Sequence, residues 1–166
     1  GRNNMAVLTA SVQRPVRIPA GGITTAVRKL AGYTNFGAGT VAHTVYKGSV
    51  VVCDVSDTDG YFRAAPATGT TAAASGDMFG GIALEKIAVT SSDTADGSKL
   101  VTVAVDGEWG FAKGSLAITD VGADAYASDD QTITTTSSNN FKVGRITDVD
   151  GTYVWVDIKP YMLVAL

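Results

Sequence analysis

The stretch at residues 99–113, K-L-V-T-V-A-V-D-G-E-W-G-F-A-K, constrains the fold most strongly. Valine alternates with threonine and alanine across positions 101–105, so every second side chain can face a core. Asp106 and Gly107 follow as a turn signal, because glycine tolerates the positive φ that tight turns require. Trp109 and Phe111 then resume the alternation. The stretch predicts a β-hairpin whose inner face anchors a β-sandwich or a small barrel.

The rest of the chain also favours strands over helices. Its 166 residues include 19 glycines with abundant valine and threonine, a composition typical of short strands joined by turns. The clearest local pattern is a closing hairpin, in which residues 141–148 and 152–158 flank a turn. Residues 117–122 predict one helical turn, and residues 23–30 are a candidate for a brief second one. We therefore predict an all-β fold: a small β-barrel or β-sandwich of short antiparallel strands, with at most one or two short helical turns.

Charge is distributed unevenly along the chain. The formal net charge is −3, yet the first 53 residues carry six basic side chains and no acid, while all 16 acids follow from Asp54 onward. Residues 1–39 are rich in glycine and proline and lack periodicity, which predicts an extended basic N-terminal arm ahead of a β-rich domain at 40–166. The bases are dispersed without interleaved aromatics, so an acidic protein surface is a better partner than nucleic acid. The predicted contact residues of the arm are Arg2, Arg14, Arg17, Arg28 and Lys29.

The two ends of the chain carry further expectations. Residues 161–166 are uncharged and apolar, so we expect them to be buried, against another subunit for instance. The predicted contact residues of this tail are Tyr161, Met162, Leu163, Val164 and Leu166. Met5 is a candidate translation start. The sequence shows neither a signal-peptide pattern nor an apolar run of about 18 residues, so we expect synthesis in the cytoplasm and no membrane partner.

Catalytic and metal-binding patterns are weak. His43 is the single histidine and Cys53 the single cysteine, and both fall in strand-like sequence, so they do not indicate a nucleophile–base pair. Glu85 and Glu108 have the flanks of solvent-facing strand residues, unlike a glycosidase pair. The aspartate-rich segments at 57–60 and 148–151 resemble the opening of a calcium loop but lack its later ligands, so we interpret both as turns. We predict a protein that is not an enzyme, with no cofactor and no metal site.

Several blocks of the sequence form a pattern through their order and spacing. They are residues 45–51, 59–61, 64–67, 79–85 (which resembles a G-x-A-x-E strand), 101–105 with 107–111, 118–122 with 125–126, 129–132 (which resembles a D-D-Q-T-V turn), and 143–158. Taken together, these blocks resemble the head-decoration (capsid cement) proteins of tailed bacteriophages. The resemblance covers roughly residues 40–158 and is weaker in the arm and the tail.

This resemblance implies a β-rich structural virion protein, trimeric, that docks on the outer surface of an icosahedral head and locks capsid subunits together. Its expected partners are the major capsid protein and further copies of itself. A protein that binds the assembled shell in preference to free subunits stabilises the shell by mass action. The alternative is a carbohydrate- or receptor-binding β-module, in which Tyr61, Trp109 and Trp155 would form a binding platform.

Overall fold

The computed structural model describes residues 7–34, 40–53, 58, 60–66 and 77–160. The regular secondary structure of these residues is almost entirely antiparallel β, which confirms the all-β prediction. The strands within these ranges are β1 (Val16–Arg17), β2 (Thr25–Lys29), β3 (His43–Val45), β4 (Val50–Cys53), β5 (Phe62–Ala64), β6 (Met78–Ala83), β7 (Ile87–Val89), β8 (Leu100–Ala104), β9 (Glu108–Ala112), β10 (Asp124–Ala127), β11 (Ile133–Thr134), β12 (Phe141–Val149) and β13 (Tyr153–Ile158).

Two larger sheets pack face to face as a sandwich. One has six strands in the order β1-β9-β13-β12-β10-β11, and the other has five in the order β2-β8-β6-β4-β5. Their facing sides share one hydrophobic core, to which the five-stranded sheet contributes Phe79 and Ile82 and the six-stranded sheet contributes Phe111 and Phe141. Of the two predicted architectures, the described residues form the sandwich and not a closed barrel.

The five-stranded sheet is covered on both faces. β3 pairs with β7 to form a small third sheet, and their residues Val45 and Val89 pack with Val51 and Val103 in a second core. Successive side chains of a strand point to opposite faces, so β4 supplies both cores and is buried along its whole length. This explains why β4 is a continuous run of apolar residues instead of an alternating one.

The hairpin predicted at residues 99–113 is wrong. β8 and β9 are strands as expected, but β8 pairs with β2 and β6, and β9 pairs with β1 and β13. The intervening turn is held by one distant and one local group: the Asp106 carboxylate accepts a hydrogen bond from Thr24 N (2.8 Å), and the Asp106 carbonyl accepts one from Trp109 Nε1 (2.8 Å). The chain therefore crosses here from one sheet to the other.

Other local predictions have mixed outcomes. The closing hairpin is confirmed, since β12 and β13 pair with Ile146 opposite Val156. The predicted helical turn is confirmed as a 3-10 turn at Ile118–Asp120. The helical alternative at residues 23–30 is wrong, because pairing with β8 draws this β-branched segment into strand β2. No helix among the described residues is long and apolar enough to cross a membrane.

The described part of the predicted arm joins both sheets. β1 lies at the edge of the six-stranded sheet beside β9, and β2 lies at the edge of the five-stranded sheet beside β8. An isolated parallel bridge joins Leu30, just after β2, to Phe62 on β5. This bridge brings together the two edge strands of the five-stranded sheet. Residues 7–34 are therefore integrated into the sandwich by strand pairing.

Candidate functional site

The segment of residues 8–17, which we call the strap, lies across turns of both sheets. Leu8 N donates to the Asp130 carboxylate at 2.8 Å, beyond the end of β10. Val12 N donates to the Lys47 carbonyl at 2.9 Å, in the turn between β3 and β4. Gly110 N donates to the Pro15 carbonyl at 2.9 Å, on β9. The strap thus ties together three points that are distant in sequence.

Two glycines allow the strap to lie this close. A Cβ on Gly48 would lie 2.5 Å from Val12 Cγ2 and 2.8 Å from its carbonyl oxygen, and Gly48 also has a φ of +90°. A Cβ on Gly110 would lie 2.6 Å from Pro15 Cγ. Real side chains do not approach to these distances, so any larger residue at either position would force the strap away from the sheets.

Arg14 is the buried centre of the strap, with 9% of its surface exposed. Its Nε donates to the Gly48 carbonyl at 2.6 Å, and its guanidinium carbon lies 4.2 Å from the centre of the Phe111 ring. Burial lowers the pKa of Arg14 to about 10, against the opposing attraction of Asp130 and Asp129, so the group stays charged at neutral pH. Its Nη2 is buried and has no hydrogen-bond partner among the described residues.

Asp130 is the buried acid at the other end of the strap. One carboxylate oxygen accepts from Leu8 N, and the other accepts from Ser49 Oγ at 3.2 Å. Burial raises the pKa of Asp130 to about 6, with the nearby Asp129 charge adding to the shift and the two hydrogen bonds and Arg14 opposing it. The sequence pattern predicts a turn at this position but does not indicate that the Asp130 carboxylate is buried.

A pocket of about 210 Å³ opens beside the strap. Its wall includes the strap side chains Val12 and Arg14, together with Lys47, Leu84 and Trp109. The pocket therefore combines apolar surface with two basic side chains.

Arg17 lies on the outer face of the six-stranded sheet. Its guanidinium carbon is 4.0 Å from the centre of the Trp155 ring, and its nitrogens pair with Asp148 at 3.0 Å and Glu108 at 3.5 Å. Trp155 Nε1 donates a hydrogen bond to the Asp150 carboxylate, which also accepts from the backbone amides of Thr152 and Tyr153. These hydrogen bonds lower the pKa of Asp150 to about 2, and the bond from Trp155 has the largest effect. Arg17 and its partners therefore cover one face of the only outward-facing tryptophan of the described sheets.

Replacing Arg17 with alanine should uncover Trp155 with little loss of stability. The ion pairs of Arg17 are exposed to solvent, where such pairs contribute little. We expect a red shift of tryptophan emission and stronger quenching by acrylamide, while the urea midpoint stays close to wild type. Lys29→Ala is the matched control on another sheet, and unchanged quenching in Arg17→Ala would contradict the stacked geometry.

The remaining predicted contact residues fall into two groups. Arg28 donates from Nε to the Gly80 carbonyl at 3.0 Å and lies 5.3 Å from the Phe62 ring, whereas Lys29 is exposed on β2. Arg2 and the apolar tail, with Tyr161, Met162, Leu163, Val164 and Leu166, lie outside the described residues. Of the basic residues that are described, Arg14, Arg17 and Arg28 all contact the chain's own sandwich.

The residues considered for catalysis lie apart in the fold. His43 is on β3 and donates to the Ala31 carbonyl at 2.9 Å; burial lowers the pKa of its ring. Cys53 is buried on β4 in a different sheet. Glu85 accepts from Thr102 N, while Glu108 pairs with Arg17 on the other sheet. The described residues contain no group of three or more side chains suited to hold a metal ion.

The three aromatic residues considered for a binding platform are also separated. Trp109 lies in the core between the sheets, and Trp155 lies on the outer face of the six-stranded sheet beside Tyr153, with ring centres 5.9 Å apart. Tyr61 precedes β5 in the other sheet. The described fold does not bring these three rings onto one surface.

Comparisons of the chain with protein-family models, with curated proteins and with solved structures found no match.

Proposed function

We propose that this chain is a structural virion protein that binds the outer surface of an icosahedral phage head, where it bridges subunits of the major capsid protein. It would act as a homo-oligomer, a trimer, made in the host cytoplasm and added to the assembled head. The proposal starts from the sequence motifs at residues 40–158, and the geometry of one exposed strand edge supports it.

That edge is the outer side of β2. Val105 N donates to the Thr24 carbonyl and Leu30 N donates to the Lys99 carbonyl, so residues 24 and 30 face β8. In an antiparallel ladder the alternate residues then direct their backbone groups away from the partner strand. These are residues 25, 27 and 29, of which residues 25 and 27 lie before the bridge that joins Leu30 to Phe62 of β5, and no strand of the described chain pairs with those two. An open edge of this kind is a template for association unless it is covered.

Apolar side chains accompany this edge. Val27 is 58% exposed, and Leu100, on the same face of the β2–β8 pair, is 47% exposed. Together the open backbone and the apolar pair favour contact with a neighbouring copy of the chain. This open, apolar strand edge is the observation that best supports an assembly protein.

Introducing charge at this edge should prevent assembly. We expect Val27→Asp with Leu100→Asp to reduce the mass measured by light scattering from that of an oligomer to that of a monomer, and to weaken binding to phage heads stripped of decoration. The physical reason is that buried unpaired carboxylates oppose association. Ile118→Asp, at a residue 62% exposed in the 3-10 turn, is the matched control. A wild-type protein that is monomeric and does not bind heads would contradict the proposal.

A further inference from the structure

We propose that the tail, residues 161–166, of one copy of the chain adds as a strand to the open edge of β2 in a neighbouring copy. The inference rests on the proposed function, because it names the segment that covers the edge through which copies would associate. The tail lies outside the described residues, whereas the edge that would receive it lies within them.

The receiving edge has room for one short strand. Thr25 and Val27 direct their backbone N–H and C=O groups outward, whereas Ala26 and Arg28 direct theirs to β8. The bridge between Leu30 and Phe62 closes the edge just beyond β2. A segment of a few residues can therefore satisfy the outward groups, and a long strand is not required.

The side chains around this edge favour an apolar strand. Val27 and Leu100 are 58% and 47% exposed on one face, and Ala26 packs against the second core on the other. A strand added beside β2 would thus have apolar neighbours above and below it. Strands covered on both faces are continuously apolar and do not alternate with polar residues.

The tail has this composition. Its sequence, Y-M-L-V-A-L, contains no charge, no proline and no glycine. Six-residue segments with these properties and with β-forming residues such as tyrosine and valine readily pair as strands. The tail therefore matches the edge in length and in the absence of polar side chains.

The position of β13 favours a neighbouring copy over the tail's own β2. β13 lies inside the six-stranded sheet, and Lys159 N, just after it, donates to the Val143 carbonyl of β12 at 2.9 Å. β2 is in the other sheet, and facing sheets lie about 10 Å apart, a distance that takes about three extended residues to cross. A crossing within one chain would use half of the tail, whereas a neighbour can receive all of it.

A contact of tail to edge also fits the proposed trimer. The two surfaces that meet are different, so the contact is heterologous, and its repetition around an axis closes a ring. Pairing of one β2 edge with another would instead be isologous and would produce dimers.

The test is complementation between two full-length variants. Leu163→Asp with Val164→Asp blocks the tail and keeps the edge, while Val27→Asp with Leu100→Asp blocks the edge and keeps the tail. By light scattering, each variant alone should be a monomer, because carboxylates oppose burial in the contact. Their equimolar mixture should form a dimer with one copy of each, since one intact tail then meets one intact edge. A chain that carries all four substitutions is the control and should stay monomeric with the tail-blocked variant.

Hydrogen exchange shows whether the contact is a strand pairing. The amides of Thr25 and Val27 should exchange about tenfold or more faster in the tail-blocked variant than in the wild type. The amides of Ala26 and Arg28 should exchange at the same rate in both, because they bond to β8. Equal exchange of all four amides in the two proteins would overturn the pairing, whether or not the variant is monomeric.

The outcomes separate this inference from the proposed function. A wild-type oligomer that persists in the tail-blocked variant would overturn the role of the tail and leave the proposed function standing. Two monomeric variants that do not form the mixed dimer would show that the tail acts within its own chain, which also overturns the inference. A wild-type monomer that does not bind heads would overturn the proposed function, and this inference with it.

Discussion

Replacing Asp130 with asparagine is expected to remove a pH dependence of about 3 kcal/mol from the free energy of unfolding. The pKa of Asp130 is raised from 3.8 to about 6 in the folded protein, because its carboxylate is buried. The folded state therefore binds this proton more tightly than the unfolded state. The contribution of Asp130 to stability is fully present below pH 4 and is lost as the pH rises through 6. Asparagine keeps an acceptor for Leu8 N but does not titrate.

The measurement is the unfolding free energy of wild type minus that of Asp130→Asn, from urea titrations between pH 4 and 7.5. This difference should fall as the pH rises. Subtraction also removes the opposite contribution of His43, whose lowered pKa reduces stability as the pH falls. Asp150→Asn is the control, since the pKa of Asp150 is about 2 and its contribution changes only below pH 4, so the corresponding difference should stay constant over this range. A difference that stays constant with pH would show that Asp130 is not buried as described.

Replacing Gly110 with alanine is expected to lift the strap and to destabilise the protein by about 1–3 kcal/mol. The added Cβ would lie 2.6 Å from the ring of Pro15, and a proline ring cannot move aside as a flexible side chain can. The contacts that depend on the strap should weaken together. Hydrogen exchange should accelerate at Val12 N and Gly110 N, both of which take part in strap hydrogen bonds.

Gly151→Ala is the matched control, because a Cβ there meets nothing within 4 Å and neither glycine has a left-handed φ. Exchange deep in the sandwich, at Val156 N for example, should be perturbed much less than exchange in the strap. If Val12 N in Gly110→Ala were as protected from hydrogen exchange as in the wild type, the described contact between the strap and β9 would be contradicted.

Sequence reasoning succeeded where the interactions are local. β12 and β13 are joined by a turn in which Asp150 accepts hydrogen bonds from Thr152 N and Tyr153 N, so the hairpin is encoded within a few residues. The same reasoning failed at residues 99–113. There Asp106 binds Thr24, which lies 82 residues away, and each flanking strand has a better partner elsewhere. Alternation identifies a strand and its faces, but it does not identify the partner strand.

The strap shows the same limit at the candidate site. The charge and proline content of the N-terminal segment show that it is basic and unusual. They do not indicate which surface of the protein it covers. The partners of Arg14 lie on other elements: the Gly48 carbonyl is 34 residues away, and the Phe111 ring is on β9. The chain has 19 glycines, so the sequence alone does not single out Gly48 and Gly110 as positions where two segments approach closely. Only the fold reveals that these two lie directly beneath the strap.

The strap has a consequence for the order in which the chain folds during synthesis. Leu8 leaves the ribosome 122 residues before its partner Asp130. Until Asp130 has left the ribosome, Leu8 N lacks its acceptor, and contacts between such distant residues form slowly. We therefore expect nascent chains halted before residue 130 to remain sensitive to proteases around Leu8, and chains halted well beyond it to become resistant there.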